Sequence, residues 1–338
     1  MRAAPLVLAL LLARCDAAPP STPPDALAPD VVDAATSDLA APDDRSAVTR
    51  PTSPLDPRVF DCRATGVPAR ASVVPLACAT DRACRTPQVM GHRGAGGSGG
   101  YIAPEDSLAA YRAAIALGIE FVETDPRPTA DGVIVNMHDT TVDRTMEGTG
   151  TVSEMTFAQV RALRFRAERF AGDFSCERVP TLREILELCR GRAVVVVDAN
   201  KTDRVDLLVQ AIREANAVDA VVFSTSDLDK LRRALAMEPG IRAHIRPRSV
   251  AEITAQLDAL APLVPALVEL ERSDVREGAP LVHARGTRVA VDVFAEDVVV
   301  GLRGDLRYYL TAFDDGADVV QSDRPALVLD ALRAAGRR

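Results

Sequence analysis

The stretch "IEFVETDPRPTADGVIVNMHD" (Ile119–Asp139) holds two short apolar runs, and each ends in ionisable residues. "IEFVETD" (119–125) closes on Glu123, Thr124 and Asp125, and "GVIVNMHD" (132–139) closes on His138 and Asp139. Runs of this length, apolar without strict alternation, suit strands buried on both faces, as in a parallel sheet covered by helices. Similar runs recur on either side: "QVMGH" (88–92), "AVVVVDA" (193–199), "AVVFST" (220–225), "IRAHI" (241–245), "ALVELE" (266–271), "RVAVDVF" (288–294) and "ADVVQSD" (317–323). Amphipathic helical stretches such as "SLAAYRAAIALG" and "LREILELCRG" separate them, with Gly118 and Gly191 where helix stops belong. Strands alternating with helices over about 250 residues predict a (β/α)8 TIM barrel. The nine candidates exceed eight by one, and "ALVELE" is the weakest of them.

The 338-residue chain surrounds this core with appendages. "MRAAPLVLALLLARC" has a basic start, an apolar run of signal-peptide length and a cysteine, so residues 1–15 are expected to be a signal peptide. Cys15 stands where a bacterial lipoprotein would be lipidated and tethered to a membrane, although Arg14 replaces the usual small residue. Cleavage near Ala17–Ala18 is the simpler alternative. Residues 16–57, rich in Ala, Pro and Asp, are too poor in bulky apolar groups to offset their ordering entropy and are expected to form a disordered tether. Together these features predict export, to the cell envelope as a lipoprotein or to the periplasm or medium.

Residues 58–87 form a cysteine-containing extension ahead of the barrel at 88–335. Cys62, Cys78, Cys84, Cys176 and Cys189 follow Cys15, and an exported chain permits disulfides. Cys176 and Cys189 bracket a short turn and helix that can bring them together, with a second bridge drawn from two of the other three. Spacing alone leaves the connectivity open. A net charge of -8 argues against nucleic acid as a partner.

In a barrel, strand ends share one rim, which is where active sites are built. That places His92 and Arg93, Glu123 and Asp125, His138 and Asp139, and Asp198 with Asn200 and Lys201 near one another. Glu123 and Asp125 are two apart, so their side chains leave the strand on the same face. Converging carboxylates repel unless a cation lies between them, and such oxygen donors suit Ca2+ or Mg2+. His244, at a possible strand end, has a structural reading, His283 is expected in a helix at the surface, and Glu269 and Glu271 are candidates for an extra acidic group at the rim. "RFRAERF" (164–170) is an exposed connecting segment able to touch lipid.

The order "HRG", "PEDS", "VETDPRPTADGVIVNMHDTTVDRTMEGTG", "VPTLREIL", "VVFST" and "GADVVQSDRP" resembles the glycerophosphodiester phosphodiesterase family, over roughly Val89 to Arg324. The resemblance implies a metal-dependent phosphodiesterase that releases glycerol 3-phosphate and an alcohol from small glycerophosphodiesters. It makes His92 and His138 the general acid/base pair and puts Glu123 and Asp125 on the metal. Arg93 would contact phosphate, Glu105 would stand near the metal or water, and Asp139 would support. The third acidic ligand corresponds to Asp198, in "VDANK". There the family's lysine is shifted by one, so that either Lys201 reaches the phosphate through a local bulge or Asn200 takes its place. "VDVF" replaces a tryptophan-containing segment, leaving Asp292 and Phe294 to form that wall. Intact phospholipid as substrate, as in sphingomyelinase D or phosphatidylinositol phospholipase C, and a non-catalytic envelope binding protein are the alternatives. The first glycine run, Gly94 to Gly100, is expected to be a flexible link between His92–Arg93 and Glu105.

Overall fold

The computed structural model describes residues 55–98 and 101–338. The expected signal peptide, Cys15 and nearly all of the tether lie outside the described residues. Eight parallel strands close into a barrel: β1 (Gln88–Gly91), β2 (Phe121–Thr124), β5 (Val194–Asp198), β6 (Val221–Thr225), β7 (Arg242–Ile245), β8 (Leu267–Glu269), β9 (Arg288–Asp292) and β10 (Val319–Ser322). Closure comes from β10 pairing with β1, with Gln88 opposite Val319 and Gly91 opposite Ser322.

The extra candidate is not "ALVELE", which supplies β8, but "GVIVNMHD". Its core is β4 (Ile134–Asn136), which pairs antiparallel with β3 (Pro126–Pro128) in a hairpin outside the barrel. Pro126 and Pro128 lack the N–H groups that an inner barrel strand must donate, so β3 can hold only an edge position. In β8, Leu267 and Val268 are fully buried. Glu269 made the segment look polar because it belongs to the rim.

The valine run of β5 shows why the barrel forms. Val194 and Val196 point inward and join Met90, Phe121, Val222, Leu267, Ala290 and Val319, while Val195 and Val197 pack outward beneath the helices. Burying each such side chain contributes about 1.5–3 kcal/mol. Helices start on side-chain caps: Ser107 accepts from Ala110 N, and Thr181 forms a capping box with Glu184.

The extension closes the other end of the barrel. Ala79 packs into the interior cluster, and the buried Arg288, at the start of β9, donates to Cys78 O, Ala79 O and Gln88 Oε1. Burial lowers the Arg288 guanidinium to about 10, which leaves it charged at neutral pH.

The disulfides are Cys62–Cys176 and Cys78–Cys84, and Cys189 is a buried free thiol, so Cys176 and Cys189 do not pair. The helix Leu182–Cys189 explains this. Eight helical residues extend the chain by about 12 Å, which carries Cys189 away from Cys176 and into the core. Among the described residues no helix is long and apolar enough to cross a membrane.

Candidate active site

The end of β1 presents His92 and Arg93. His92 Nδ1 lies 2.6 Å from Asp323 Oδ1, at the end of β10, and its ring packs on Phe294 with centroids 4.6 Å apart. With Nδ1 engaged, Nε2 faces the rim, 4.0 Å from Glu123 Oε2. Burial pulls the His92 pKa below its ordinary value, and the Asp323 hydrogen bond partly opposes this.

Arg93 adopts left-handed backbone (φ 52°), which turns its N–H onto Glu123 Oε2 at 3.0 Å. Its guanidinium donates to Glu105 Oε1 at 2.7 Å and lies 3.4 Å from Asp125 Oδ2. Glu105 also accepts from both terminal nitrogens of Arg144, at 2.8 and 2.7 Å. Glu105 is therefore a clamp between two guanidiniums, and both of its oxygens are engaged.

Glu123 and Asp125 meet Asp198 from β5, and all three are buried with potential ligand oxygens within 4.8 Å of one another. Burial and then the Asp125, Asp106 and Asp198 carboxylates push Glu123 well above the usual carboxylate range. Asp125 goes the other way: burial opposes its ionisation, but Lys201, His138, Arg93 and His92 together hold it below its ordinary value. Both histidines are thus among the charges that act on Asp125. Asp125 Oδ2 is buried without a hydrogen-bond donor. A trio of buried carboxylates with an undonated oxygen fits a hard divalent cation.

His138 comes from the hairpin rather than from a barrel strand, yet it reaches the same place. Its Nδ1 lies 2.8 Å from Asp139 Oδ1, and Asp139 accepts from Arg144 Nε at 2.6 Å. Burial disfavours the Asp139 carboxylate, but these two partners hold its pKa far below the ordinary value. Lys201 reaches the site, with Nζ 3.2 Å from Asp125 Oδ1. A 3-10 turn over Ala199–Lys201 takes up the shifted register. Asn200 does not replace the lysine: its Nδ2 donates to Asp198 Oδ1 at 2.8 Å, and its Oδ1 accepts from Ser226 N at 3.1 Å.

The sequence reading missed Asp323, Arg144 and Arg246. Asp323 carried the same signal as the others, an ionisable residue closing a strand candidate. Arg144 lies in a loop, where no periodicity points to a partner. Arg246, just past β7, has Nε 3.1 Å from Glu269 Oε2 and Nη1 3.7 Å from Asp198 Oδ2. Glu269 thus does supply an acidic group at the rim, and the fully buried His244 stands 3.3 Å from it. Burial would raise Glu269, but Arg246 and His244 hold it down to about 2. Burial, with Glu269, Glu271 and Glu296 nearby, pushes Asp292 up to about 7. His283 bonds Asp318 at 2.7 Å, away from the site, before β10 begins.

Two oriented histidines and a carboxylate trio thus stand at the mouth of a (β/α)8 barrel. The chain belongs to the glycerophosphoryl diester phosphodiesterase family, whose model matches residues 92–298. It is 48% identical over 101 residues to glycerophosphodiester phosphodiesterase 1 of Bos taurus, a match covering 30% of this chain and 29% of the relative. It is 33% identical over 160 residues to a glycerophosphodiester phosphodiesterase of Caldanaerobacter subterraneus, covering 46% of this chain and 64% of that one. The chain thus spans between about a third and two thirds of the length of these relatives. A glycerophosphoryl diester phosphodiesterase structure from Parabacteroides distasonis superposes with a TM-score of 0.67 at 25% identity, covering 77% of this chain and 90% of that one. An Oleispira antarctica phosphodiesterase, solved with the product sn-glycerol-3-phosphate, shares the fold with a TM-score of 0.60 at 24% identity, covering 73% and 97%.

Proposed function

We propose that the protein hydrolyses small glycerophosphodiesters to glycerol 3-phosphate and an alcohol, with a divalent cation held by Glu123, Asp125 and Asp198. The observation that carries this reading is a buried carboxylate trio with the Asp323-oriented His92 beside it and the Asp139-oriented His138 joined to it through Arg144, Glu105 and Arg93. Phosphodiester cleavage requires a base for the attacking hydroxyl, an acid for the departing alkoxide and positive charge at the nonbridging oxygens. A bound cation would supply that charge as a Lewis acid. His92 and His138 hold and move the protons through Nε2, because Nδ1 of each is engaged by Asp323 or Asp139. As the new P–O bond forms, one ring takes the proton of the attacking hydroxyl. As the old P–O bond breaks, the other protonates the leaving oxygen. Arg93 and Lys201, both already against Asp125, add cationic charge where the phosphate would sit. The Phe294 ring shields His92 from bulk water.

Purified protein should release glycerol 3-phosphate from glycerophosphocholine or a similar diester, lose turnover with a chelator and recover it with Ca2+ or Mg2+. His92→Ala and His138→Ala should each lower kcat by about two to four orders of magnitude. Turnover indifferent to chelation would remove the cation from the reading. Turnover confined to phospholipid vesicles would replace the small diester by an intact lipid, and none on either would leave a binding protein.

A further inference from the structure

A cavity of about 360 Å³ opens beside the site, between the loop after β1 and the "RFRAERF" segment. Ser98 lines one part of it, and its backbone N–H donates to Asp323 Oδ1 at 2.9 Å, the acid that orients His92. Arg144 lines another part and grips Asp139, the acid that orients His138. The cavity therefore adjoins the supports of both histidines and shares the Glu105–Arg144 clamp with the site, while Arg93 and Lys201 lie outside its lining.

Apart from that clamp, its charged groups carry no ion pair among the described residues. Glu105 is matched by Arg93 and Arg144. Arg166, Glu168 and Arg169 are exposed and form no ion pair among the described residues. The Arg166 Nε donates only to a backbone carbonyl, that of Asp143, and the Arg169 guanidinium lies 4.9 Å over the Phe170 ring. Two arginines without an ion pair thus line the cavity beside one such glutamate.

We propose that this cavity receives the alcohol half of the diester, and that Arg166 and Arg169 select an alcohol bearing an oxyanion, a carboxylate or a second phosphate. The proposal rests on the phosphodiesterase reading above. A planar guanidinium matches such an oxyanion through paired N–H donors, whereas a quaternary ammonium meets two like charges there. Because both arginines are exposed, the selection weakens as salt screens them.

The test compares kcat/KM for glycerophosphoserine, for a glycerophosphodiester whose alcohol carries a second phosphate, and for glycerophosphocholine. The wild-type chain should favour the first two by about tenfold at low salt, with the ratio shrinking in 0.5 M salt. Arg166→Glu combined with Arg169→Glu should abolish or invert the ratio through KM, and turnover of glycerophosphocholine by the same variant shows that it is folded. An unchanged ratio in that variant overturns the proposal. If no diester is turned over, the phosphodiesterase reading fails by itself. Calorimetric binding of glycerophosphoserine and glycerophosphocholine to the intact His138→Ala chain then still decides the selection, and equal affinities would sink it.

Discussion

At the scale of single residues, the placement of the two histidines depends on groups outside the proposed proton transfer. Asp323 fixes the His92 ring, and Asp323 in turn accepts from Ser98 N and packs closely against Gly97. Gly97 has φ +61°, and a Cβ there would stand 2.8 Å from the Asp323 Cβ and backbone oxygen. Gly96 is equally tight, since its Cβ would stand 2.5 Å from the Glu105 Cα. The glycine run expected as a flexible link is, at these two positions, a close-packed bearing. Gly97→Val should push Asp323 off Nδ1 and lower kcat about a hundredfold, since misplacement by about 1 Å costs that much. Steady-state kinetics with far-ultraviolet circular dichroism would check it, and a kcat within twofold of wild type would show that Asp323 does not need this support. Asp323→Asn, which keeps size but frees the choice of tautomer, should lower kcat by a comparable factor with KM little changed. His92, Glu123, Asp125, His138 and Asp198 were legible because each closes an apolar run. Arg144 and Arg246 were not, because the reach of a long side chain from a loop depends on a path that sequence spacing does not encode.

The hairpin is the element that brings His138 to the barrel, and Asn136 on β4 attaches it. Asn136 Nδ2 donates to Asp106 Oδ1 at 2.7 Å and to the Tyr111 hydroxyl at 2.8 Å. Its Oδ1 accepts from Asp125 N at 2.7 Å and from the Thr124 hydroxyl. One buried amide therefore ties the hairpin to the end of β2 and to the residue after Glu105. Asn136→Ala should destabilise the protein by about 1–3 kcal/mol by leaving buried partners unsatisfied. It should also weaken Ca2+ or Mg2+ binding, because Asp125 loses the bond that fixes its backbone. Urea denaturation and calorimetric metal titration would measure the two effects, and unchanged metal affinity would show that Asp125 is held by Arg93 and Lys201 alone. The apolar pattern revealed that 132–139 contains a strand but not where that strand pairs. Only the prolines of β3 hinted at an edge. "ALVELE" was undervalued for the opposite reason: its Glu269 looks solvent-facing until Arg246 and His244 are brought to it by the closure of the barrel.

At the largest scale, the described residues form a barrel whose N-terminal end is stoppered by Ala79 and its neighbours ahead of β1. The count of strand–helix units made the barrel legible, whereas the stopper was not, because cysteine spacing leaves pairing open and the partners are far apart in sequence. Cys62 joins Cys176 across a separation of 114 residues, beside the Phe60–Phe174 ring contact at 6.3 Å. Arg112 donates to Phe60 O at 2.8 Å, and the buried Glu120 accepts from Arg70 at 2.6 Å and from Arg338 at 2.6 Å. The extension, the barrel and the chain's last residue thus form one packed body in which the Cys62–Cys176 bridge closes the longest loop. Cross-links of this reach restrict the unfolded chain most, and removing one costs about 2–5 kcal/mol. Cys62→Ser with Cys176→Ser should therefore lower Tm by about 5–15 °C, at roughly 2–4 °C per kcal/mol for a chain of this size. Neither cysteine of the bridge contacts the two histidines or the carboxylate trio, so kcat measured well below the new Tm should stay within a few-fold of wild type. Calorimetry and kinetics on the same preparation separate the two effects. A Tm unchanged within 2 °C would mean that the Phe60, Arg112 and Glu120 contacts already fix the extension, and a large loss of kcat would mean that the bridge also positions the rim.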